Sequence, residues 1–379
     1  MQVVEVLTKK QRRDFFLFPI KLYKGNKYNV PSLLSDEYDE FNPKKNGAFE
    51  FCKSKMFIAY DDGKVVGRVA VIINDAYNQK KNVRQVRFTR YDVIDDFEVT
   101  KALFDKVIAY ARDNGMNEII GPIGFSDFDK QGMLVEGFEE MDLYITMYNY
   151  PYYKEHMAKL GFVKDADWVE YKIKLPEVMD QRLKALAEKV QKRYGYEYVE
   201  FKGFKSAKPY IRPALKEIMN EVYAELYGVV AVNDRQIDRE AAMIKQVFNN
   251  KMIFLIKKDD ELAGYGFMAP NVSRSMQKAQ GRITPLGILR VIRDLSNFDT
   301  VDLYSMGVKK KYQNAGVNVM IMAKGLENLI GCGVKYLETG PELETNEKIQ
   351  SQWKSFERRI HRRRRCYKLS LDENEGGEN

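Results

Sequence analysis

The stretch TVDLYSMGVKKKYQNAGVN, residues 300–318, predicts a β-strand that runs through a basic loop into a helix. The strand ends at Val308, and the helix begins near Val317. A loop that contains glycine and leads into a helix points free backbone N–H groups outward, next to the positive end of the helix dipole. Ala315 and Gly316 are small enough to let a phosphate approach the backbone. The stretch therefore predicts a pyrophosphate site that is held mainly by main-chain donors.

Three consecutive lysines stand at the start of this loop, Lys309, Lys310 and Lys311. They would add positive charge at the rim of an anion site. A solvated turn explains a run of lysines equally well, and the sequence leaves both interpretations open.

The chain repeats its organisation once. Residues 55–67 and residues 251–264 both open with Lys-Met, turn on Asp-Asp and reach a glycine at the start of a second strand. Aspartate and glycine tolerate the backbone of a tight hairpin turn. Residues 104–115 and 322–333 then repeat a helix that ends on glycine, a common helix C-cap. The repeat predicts two copies of one mixed unit.

The first copy predicts alternating strands and helices at residues 3–7, 12–22, 56–73, 86–92, 99–114, 118–121, 152–160 and 168–174. Strands mixed with helices in this way predict an α/β fold. We expect an N-terminal domain at 1–175, a linker helix at 176–195, a C-terminal domain at 196–371 and a disordered tail at 372–379.

The second copy contains an extra segment between these landmarks, near residues 282–299. Its apolar residues Leu286, Leu289, Ile292 and Leu295 are spaced for one face of a helix. The segment is either a helix that lies over the second domain or a surface insertion.

The loop at 313–318 resembles the acyl-CoA loop of the GNAT superfamily of N-acyltransferases, whose pattern is Gln/Arg-x-x-Gly-x-Gly/Ala after a central strand. The matching residues are Gln313, Asn314, Ala315, Gly316 and Val317, whereas Asn318 departs from the usual final Gly or Ala. With the repeat, the resemblance covers nearly the whole chain. It implies two tandem GNAT-like domains, each a twisted, mostly antiparallel sheet flanked by helices.

The resemblance also implies an activity. It predicts direct transfer of an acyl group, from acetyl-CoA or another acyl-CoA, to a small-molecule or peptide amine. The resemblance assigns pantetheine to the backbone of Met306, Gly307 and Val308 and to Asn346, and the phosphates to the loop with Lys310, Lys311 and Asn318.

Two glutamates and the absence of a tyrosine bear on which residues could act as base and acid in the reaction. Glu338, on the strand after the helix, is the first candidate for the base, and Glu342 is the second. The family commonly has a tyrosine seven residues after the position of Asn346, as the acid for the leaving thiolate, but this chain has Trp353. Indole does not serve as such an acid. Either the acid is absent, or another residue such as Tyr367 replaces it.

The corresponding loop of the first copy, residues 93–98, has no glycine and is acidic. Like charges near Asp95 would repel a phosphate. Asp96 is better explained as the N-cap of the following helix. We therefore expect no CoA site at this loop, and a structural or acceptor-binding role for the first half.

The composition of the chain decides which kinds of site, partner and location are expected. The 379 residues carry a formal charge of +8, with only three cysteines and two histidines, so a metal site or a disulfide framework is not expected. The absence of a long apolar run argues against a membrane partner, and a cytoplasmic location is the default expectation. The oligomeric state is left open.

The arginine run from Arg358 to Arg365 is the densest charge in the chain. It either forms a solvated helix end or grips an anion, which keeps a nucleic-acid partner open although it is not favoured. Two alternatives to the acyltransferase remain: a Fem-type transferase that uses aminoacyl-tRNA, supported only by this run, and a degenerate acyl-CoA-binding or other ligand-binding protein, supported by Trp353.

Overall fold

The computed structural model describes residues 1–126 and 128–372. The predicted disordered tail at 372–379 lies, beyond Asp372, outside the described residues. The strands are β1 Gln2–Glu5, β2 Cys52–Asp61, β3 Lys64–Asn74, β4 Gln85–Val93, β5 Glu118–Gly121, β6 Met133–Glu136, β7 Val163–Lys174, β8 Tyr196–Tyr198, β9 Ile253–Lys258, β10 Glu261–Pro270, β11 Thr300–Val308, β12 Tyr336–Thr339, β13 Glu342–Leu343 and β14 Glu357–Ser370.

The α-helices are α1 Lys9–Leu22, α2 Leu34–Glu40, α3 Asp75–Lys81, α4 Phe97–Asp113, α5 Tyr152–Lys159, α6 Gln181–Tyr194, α7 Phe204–Pro213, α8 Asn220–Val222, α9 Asp234–Gln246, α10 Ser273–Ala279, α11 Pro285–Ser296, α12 Val317–Gly331 and α13 Glu347–Ser351. Short 3₁₀ helices occupy Gly47–Glu50 and Lys310–Tyr312, and a π-helix occupies Ala214–Met219. The mixed α/β class predicted from the sequence is confirmed.

The chain forms two compact units. The first contains Met1–Val169, Ser273–Gly287 and the described residues from Arg362 onward, and the second contains Glu170–Val272 and Ile288–His361. In the first unit the strand order is β1-β2-β3-β4-β5, followed by the C-terminal part of β14. All of these neighbours are antiparallel except β4 and β5, which are parallel.

The second unit repeats this arrangement with the order β8-β9-β10-β11-β12, followed by the end of β7. Its one parallel pair among these neighbours within the described residues joins β11 to β12. In both units, therefore, an antiparallel meander ends in a parallel pair, and a helix connects the two parallel strands, α4 in the first unit and α12 in the second.

The predicted domain limits differ from the compact units at two segments. Residues 273–287 pack within the first unit, where the N–H of Leu34 donates to the carbonyl of Gly281 over 2.9 Å. The end of β14 also lies there, because Tyr367 to Ser370 pair with β5. No local sequence signal predicts that these two segments belong to the first unit, because residues so far apart in the chain meet only when it folds. The domain limits themselves stay a prediction.

The arginine run forms the strand β14 and not a helix end. Arg362 and Arg364 are fully buried in the first unit, and Arg365 forms a two-bond ion pair with Asp167 at 2.8 and 3.0 Å. Arg364 bonds the carboxylate of Asp142. Alternation along a strand turns every second arginine inward, where it needs a buried acceptor.

Both units contain a bulge in the first strand of the parallel pair. In β11, Phe267 and Met268 of the neighbouring strand pair with Ser305 and Leu303, so that Tyr304 is the extra residue. In β4 the register shifts in the same way around Arg90, whose backbone has a positive φ of 49°. Bulges bend a strand and end its pairing on one side. The bulges therefore favour separation of the two parallel strands.

Candidate functional site

The parallel strands β11 and β12 pair only at their beginnings. Their register runs from Thr300 opposite Tyr336 to Leu303 opposite Thr339, and the N–H of Gly340 then donates to the carbonyl of Leu303 over 3.1 Å. Beyond the bulge, β11 pairs with β10 alone among the described strands. One edge of the backbone from Ser305 to Val308 is therefore left without a neighbouring strand.

Three hydroxyl groups meet at this edge. The hydroxyl of Tyr223 donates to the carbonyl of Met306 over 2.9 Å, and it lies 2.9 Å from Oγ of Ser305. The hydroxyl of Tyr265 lies 2.8 Å from the same Oγ. We call Tyr223, Tyr265 and Ser305 the hydroxyl cluster. It places protons that can be exchanged beside the backbone that the resemblance assigns to pantetheine.

Helix α12 begins without a side-chain cap. Gly316 is its N-cap residue, in the left-handed conformation at φ 82°, and Met320 donates to the carbonyl of Gly316 over 3.2 Å. Within the described residues, no side chain accepts a bond from the first turn. The N–H groups of Val317 and Asn318 belong to the set that every helix N-terminus leaves open. Asn318 is exposed, so an anion from solvent can reach this turn.

The three lysines of the loop differ in their partners. Lys309 is buried and forms ion pairs with Glu217 at 2.6 Å and with Glu261 at 2.9 Å. Lys311 also pairs with Glu261, and this bond is the main reason that the pKa of Glu261 falls to about 2. The side chain of Lys310 is exposed and forms no ion pair in the described part of the chain. Lys310 is therefore the lysine best able to meet an incoming anion.

The rest of the loop is ordered by its neighbours. The amide of Gln313 donates to the carbonyl of Val308 over 3.2 Å, and Asn314 has a positive φ of 60°. A Cβ at Gly316 would lie 2.6 Å from the side chain of Val190 on α6. Ala315 and Val317 pack in the same apolar cluster as Val190. Only glycine fits at position 316, both for its backbone and for this contact.

An apolar cavity of about 40 Å³ lies in the second unit, on the side of the sheet that α12 covers. Met306 lines it, so the strand with the free edge also forms part of its wall. The lining side chains are apolar and include three methionines: Ile173, Leu175, Phe254, Gly266, Met268, Leu303, Met306, Ile321, Met322, Gly325, Leu326, Leu329, Leu337, Trp353 and Phe356. Apolar cavities of this kind stay free of water and accept apolar groups.

The helix that lines the cavity carries smaller residues than its counterpart in the first unit at two aligned positions. When α4 and α12 are aligned on Gly115 and Gly333, Phe104 corresponds to Met322 and Val107 to Gly325. In the first unit, Phe104 packs against Phe88 and Phe162, with ring centroids 5.1 and 5.3 Å apart. These three rings belong to the apolar core of the first unit. The two helices thus differ in side-chain volume at positions where α12 lines the cavity.

The two predicted bases have different surroundings. The carboxylate of Glu338 is buried and forms an ion pair of 2.8 Å with Lys172. Glu342 accepts a 2.9 Å bond from the indole nitrogen of Trp353 at Oε1, whereas its Oε2 is buried with no partner in the described residues. Burial raises the pKa of Glu342 to about 7, against the opposing effects of Trp353 and Arg358. Of the two carboxylates, Glu342 is the one poised to take up and release a proton near neutral pH.

Two further predicted residues have structural contacts. Asn346 caps α13, where its side chain accepts a 3.5 Å bond from the N–H of Ile349. A contact of Asn346 with pantetheine stays a prediction. Tyr367 is buried in the apolar core of the first unit, paired with β5. It does not join the residues that the second unit brings together.

The hydroxyl cluster and Glu240 were not predicted from the sequence. Burial raises the pKa of Glu240 to about 7. Burial also raises the pKa of Tyr304 at the bulge, and the charges of Asp302 and then Glu240 add to this effect. Tyr223 and Ser305 are 82 positions apart in the chain, so no local motif connects them. A tyrosine repeated in the stretch EVYAELYG, residues 221–228, was the only available signal.

The corresponding edge in the first unit is occupied. The hydroxyl of Tyr152 donates to the carbonyl of Val93 over 2.6 Å, and the N–H of Val93 donates to the hydroxyl of Tyr153 over 2.9 Å. Asp92 is held by Arg68 and by Tyr23. The side chain of Asp96 accepts from the N–H of Glu98 over 2.9 Å, which confirms the predicted N-cap. Side chains therefore bond to backbone groups of this strand in both units: Tyr152 and Tyr153 at Val93 in the first, and Tyr223 at Met306 in the second.

Comparison with known proteins gives two relatives in sequence. Protein YghO of Escherichia coli (strain K12) is 23% identical over 372 residues, which cover 96% of this chain and 94% of that protein. The bacterial ceramide synthase of Caulobacter vibrioides (strain NA1000 / CB15N) is 24% identical over 329 residues, which cover 83% of this chain and 82% of that protein. No family model matches the chain.

A solved structure shares the fold across both copies. It is a tandem GNAT protein from the clavulanic acid biosynthesis pathway, with a TM-score of 0.57 at 12% identity, covering 100% of this chain and 99% of that one. The two units described above have the same repeated plan of a meander, a bulged strand and a connecting helix. The chain is therefore a tandem GNAT-fold protein, as the loop and the repeat predicted.

Proposed function

We propose that this protein is an acyl-CoA-dependent N-acyltransferase that works in its second unit. The observation that carries the proposal is the run of the chain from Met306 to Asn318. It begins at a strand edge that lacks a neighbouring strand and lies beside an apolar cavity, and it ends at an uncapped helix N-terminus. A pantetheine thioester requires both a polar backbone edge and, at its far end, a site for a diphosphate.

The cavity favours an acyl chain longer than acetyl. Its volume of about 40 Å³ equals only a few water molecules, so a long chain enters after side chains rotate. Met268, Met306 and Met322 line it, and methionine side chains change rotamer at low cost. The carbon atoms of an acyl chain that enter the cavity would replace an empty apolar space with packing contacts. Acetyl-CoA remains the smaller alternative donor.

The reaction requires that the amine lose one proton and that the leaving thiolate gain one. The amine nitrogen attacks the thioester carbonyl, a C–N bond forms, and the C–S bond breaks with its electron pair staying on sulfur. Glu342 takes the proton that the amine loses, because its pKa of about 7 suits a base at neutral pH. The hydroxyl cluster supplies the proton for the leaving thiolate, in place of the tyrosine that Trp353 replaces.

The acceptor is an amine, and we propose a lipophilic one. Ceramide, the product named for the Caulobacter relative, is an amide of a fatty acid with a long-chain amino alcohol. The apolar cavity supports the same kind of product here. The arginine run lends no support to an aminoacyl-tRNA substrate, because Arg362, Arg364 and Arg365 are engaged within the protein. That alternative therefore loses its only argument.

Calorimetry with a series of acyl-CoA donors, from acetyl to palmitoyl, tests the proposal first. We expect binding that strengthens with chain length. Release of free thiol is then measured with sphinganine and, as a control, with a short polar amine such as ethanolamine. Absence of binding for every donor would refute the acyl-CoA site. Binding without turnover on any amine would identify a ligand-binding protein instead.

A further inference from the structure

Helix α11 exposes its apolar side, which is unusual for a helix that packs only on its own protein. The side chains of Leu286, Ile288, Leu289 and Ile292 are between 50% and 63% exposed. We call these four residues the apolar face of α11. A surface helix normally buries its apolar face and presents polar residues to water.

The opposite side of the same helix faces inward. Asp294 keeps only 15% of its side chain exposed, and Gly287 is buried. These two positions are seven residues apart and share one side of the helix, roughly opposite Leu289. The orientation is therefore set by the whole helix and does not arise from one misplaced side chain.

The helix is well formed at its start. Oγ1 of Thr284 accepts a 3.1 Å bond from the N–H of Gly287, and Pro285 occupies the first helical position, where a missing N–H costs nothing. The exposed apolar residues thus belong to a regular, capped helix. An outward apolar face on such a helix needs a partner to cover it.

The charges around the apolar face indicate the partner. Residues 273–296 contain five basic residues and one acidic residue, Asp294: the basic ones are Arg274, Lys278, Arg282, Arg290 and Arg293. Arg282 and Arg293 are exposed, and Arg293 directly follows Ile292 of the apolar face in the chain. An exposed apolar stripe flanked by arginine fits the boundary of a lipid bilayer with anionic headgroups. A second copy of this chain fits less well, since a twofold contact would bring the same positive charges together.

We propose that α11 is an interfacial helix, which lies in the surface of an anionic membrane with its apolar face among the acyl chains. Within the described residues no helix is long and apolar enough to cross a bilayer, so the contact is with the surface. The expectation of no membrane partner was based on the lack of a spanning segment. Adsorption through a short amphipathic helix needs no such segment.

Vesicle sedimentation tests this proposal with the full-length protein. The protein is mixed with vesicles of phosphatidylcholine and phosphatidylglycerol, and with vesicles of phosphatidylcholine alone. We expect binding to the anionic vesicles that weakens with added salt. The triple variant Leu286→Ser, Leu289→Ser, Ile292→Ser should lose at least about tenfold in partitioning, because the face no longer inserts.

A matched control replaces three exposed apolar residues elsewhere, Leu7→Ser, Val163→Ser and Val178→Ser, which are 79%, 58% and 74% exposed. It should bind as the parent does. Thermal unfolding of both triple variants shows that each is folded. The proposal is overturned if the α11 variant binds vesicles as well as the parent. It is also overturned if sedimentation equilibrium shows that the α11 variant only converts a dimer to a monomer. Neither readout depends on acyl transfer, so the proposed function is tested separately.

Discussion

The indole nitrogen of Trp353 donates a hydrogen bond of 2.9 Å to Glu342, and Trp353 also lines the apolar cavity. One residue therefore connects a carboxyl group of raised pKa to the space proposed for the acyl chain. The tryptophan stands where the family resemblance expected a tyrosine. In this chain its proposed role is to hold the base in place, and the proton for the thiolate comes from elsewhere.

Replacing Glu342 should affect both rate and pH dependence. For the parent we expect the rate to rise with pH up to an apparent pKa near 7, as Glu342 ionises. Glu342→Gln keeps the acceptor for Trp353 but removes the base, so kcat should fall by about 10²- to 10⁴-fold and lose this rise. Glu347→Gln, at an exposed position nearby, is the control. An unchanged profile in Glu342→Gln would assign the base to another residue, with Glu240 the first to examine.

The same variant should change stability in a defined direction. Folding raises the pKa of Glu342. Protonated Glu342 therefore contributes its full share to the stability of the folded state below pH 4.5, and this share is lost as the pH rises through about 7. Glu342→Gln should therefore raise the free energy of unfolding at pH 8, by on the order of 3 kcal/mol, with a much smaller change at pH 5. Denaturant unfolding at the two pH values measures the difference.

Asn318→Asp separates CoA binding from folding. An acidic residue in the first turn of α12 favours the helix dipole, so thermal stability should be kept or slightly raised. The same charge should repel the diphosphate and weaken CoA binding by about tenfold or more, as measured by calorimetry. Gln181→Glu in the first turn of α6 is the matched control and should leave binding unchanged. Equal affinity in the parent and Asn318→Asp would place the diphosphate elsewhere.

The lysines of the loop should differ in their effect on CoA binding. Lys310→Ala removes an exposed ammonium that forms no ion pair in the described residues, and we expect affinity to fall by roughly threefold to fivefold at low salt. Lys311→Ala removes one already paired with Glu261, so the change should stay within about twofold. Titrations at two salt concentrations test this order, and the reverse order would contradict it.

Filling the cavity should alter the choice of donor. A Cβ at Gly325 would lie 3.5 Å from Phe254 and 3.7 Å from Met268, so a side chain fits at its base and then extends into the cavity. Gly325→Leu should lower kcat/KM for palmitoyl-CoA at least about tenfold and leave acetyl-CoA nearly unchanged. Gly331→Leu, at an open position of the same helix, is the control. Equal losses for both donors would indicate a general effect on folding.

The arginine strand should matter for stability. Arg364 is fully buried and pairs with Asp142. Arg364→Ala leaves that carboxylate buried without its partner, which should lower the free energy of unfolding by about 3–5 kcal/mol. Arg359→Ala, at an exposed position of the same strand, should change it by less than about 1 kcal/mol. A comparable loss in both variants, in denaturant unfolding, would contradict this account.

Much of the fold could be predicted from the sequence because its signals are local. The strand that ends at Val308, the helix that begins at Val317 and the N-cap at Asp96 are all as predicted. Each depends on residues within one or two turns of each other. The periodicity near residues 282–299 indicated a helix face, and α11 forms there, but the sequence left open whether the segment lies over the second domain or is a surface insertion. Such a pattern also does not tell which way an apolar face points.

The candidate site was predicted less completely. The loop and Glu342 were identified, whereas the hydroxyl cluster, the cavity and the pairing of Glu338 with Lys172 were not. All three bring together residues from distant parts of the chain. Trp353 was identified only as a lost tyrosine, since its bond to Glu342 is visible only in three dimensions.

The sequence by itself determined the repeated plan and the glycine at the start of α12, because turns, caps and periodic apolar residues act over a few neighbouring positions. The tertiary structure alone decided where the apolar cavity lies, which of the two candidate carboxylates forms an ion pair and which face of α11 meets water. These are properties of packing: they depend on the volume and charge of residues that only the folded chain brings into contact.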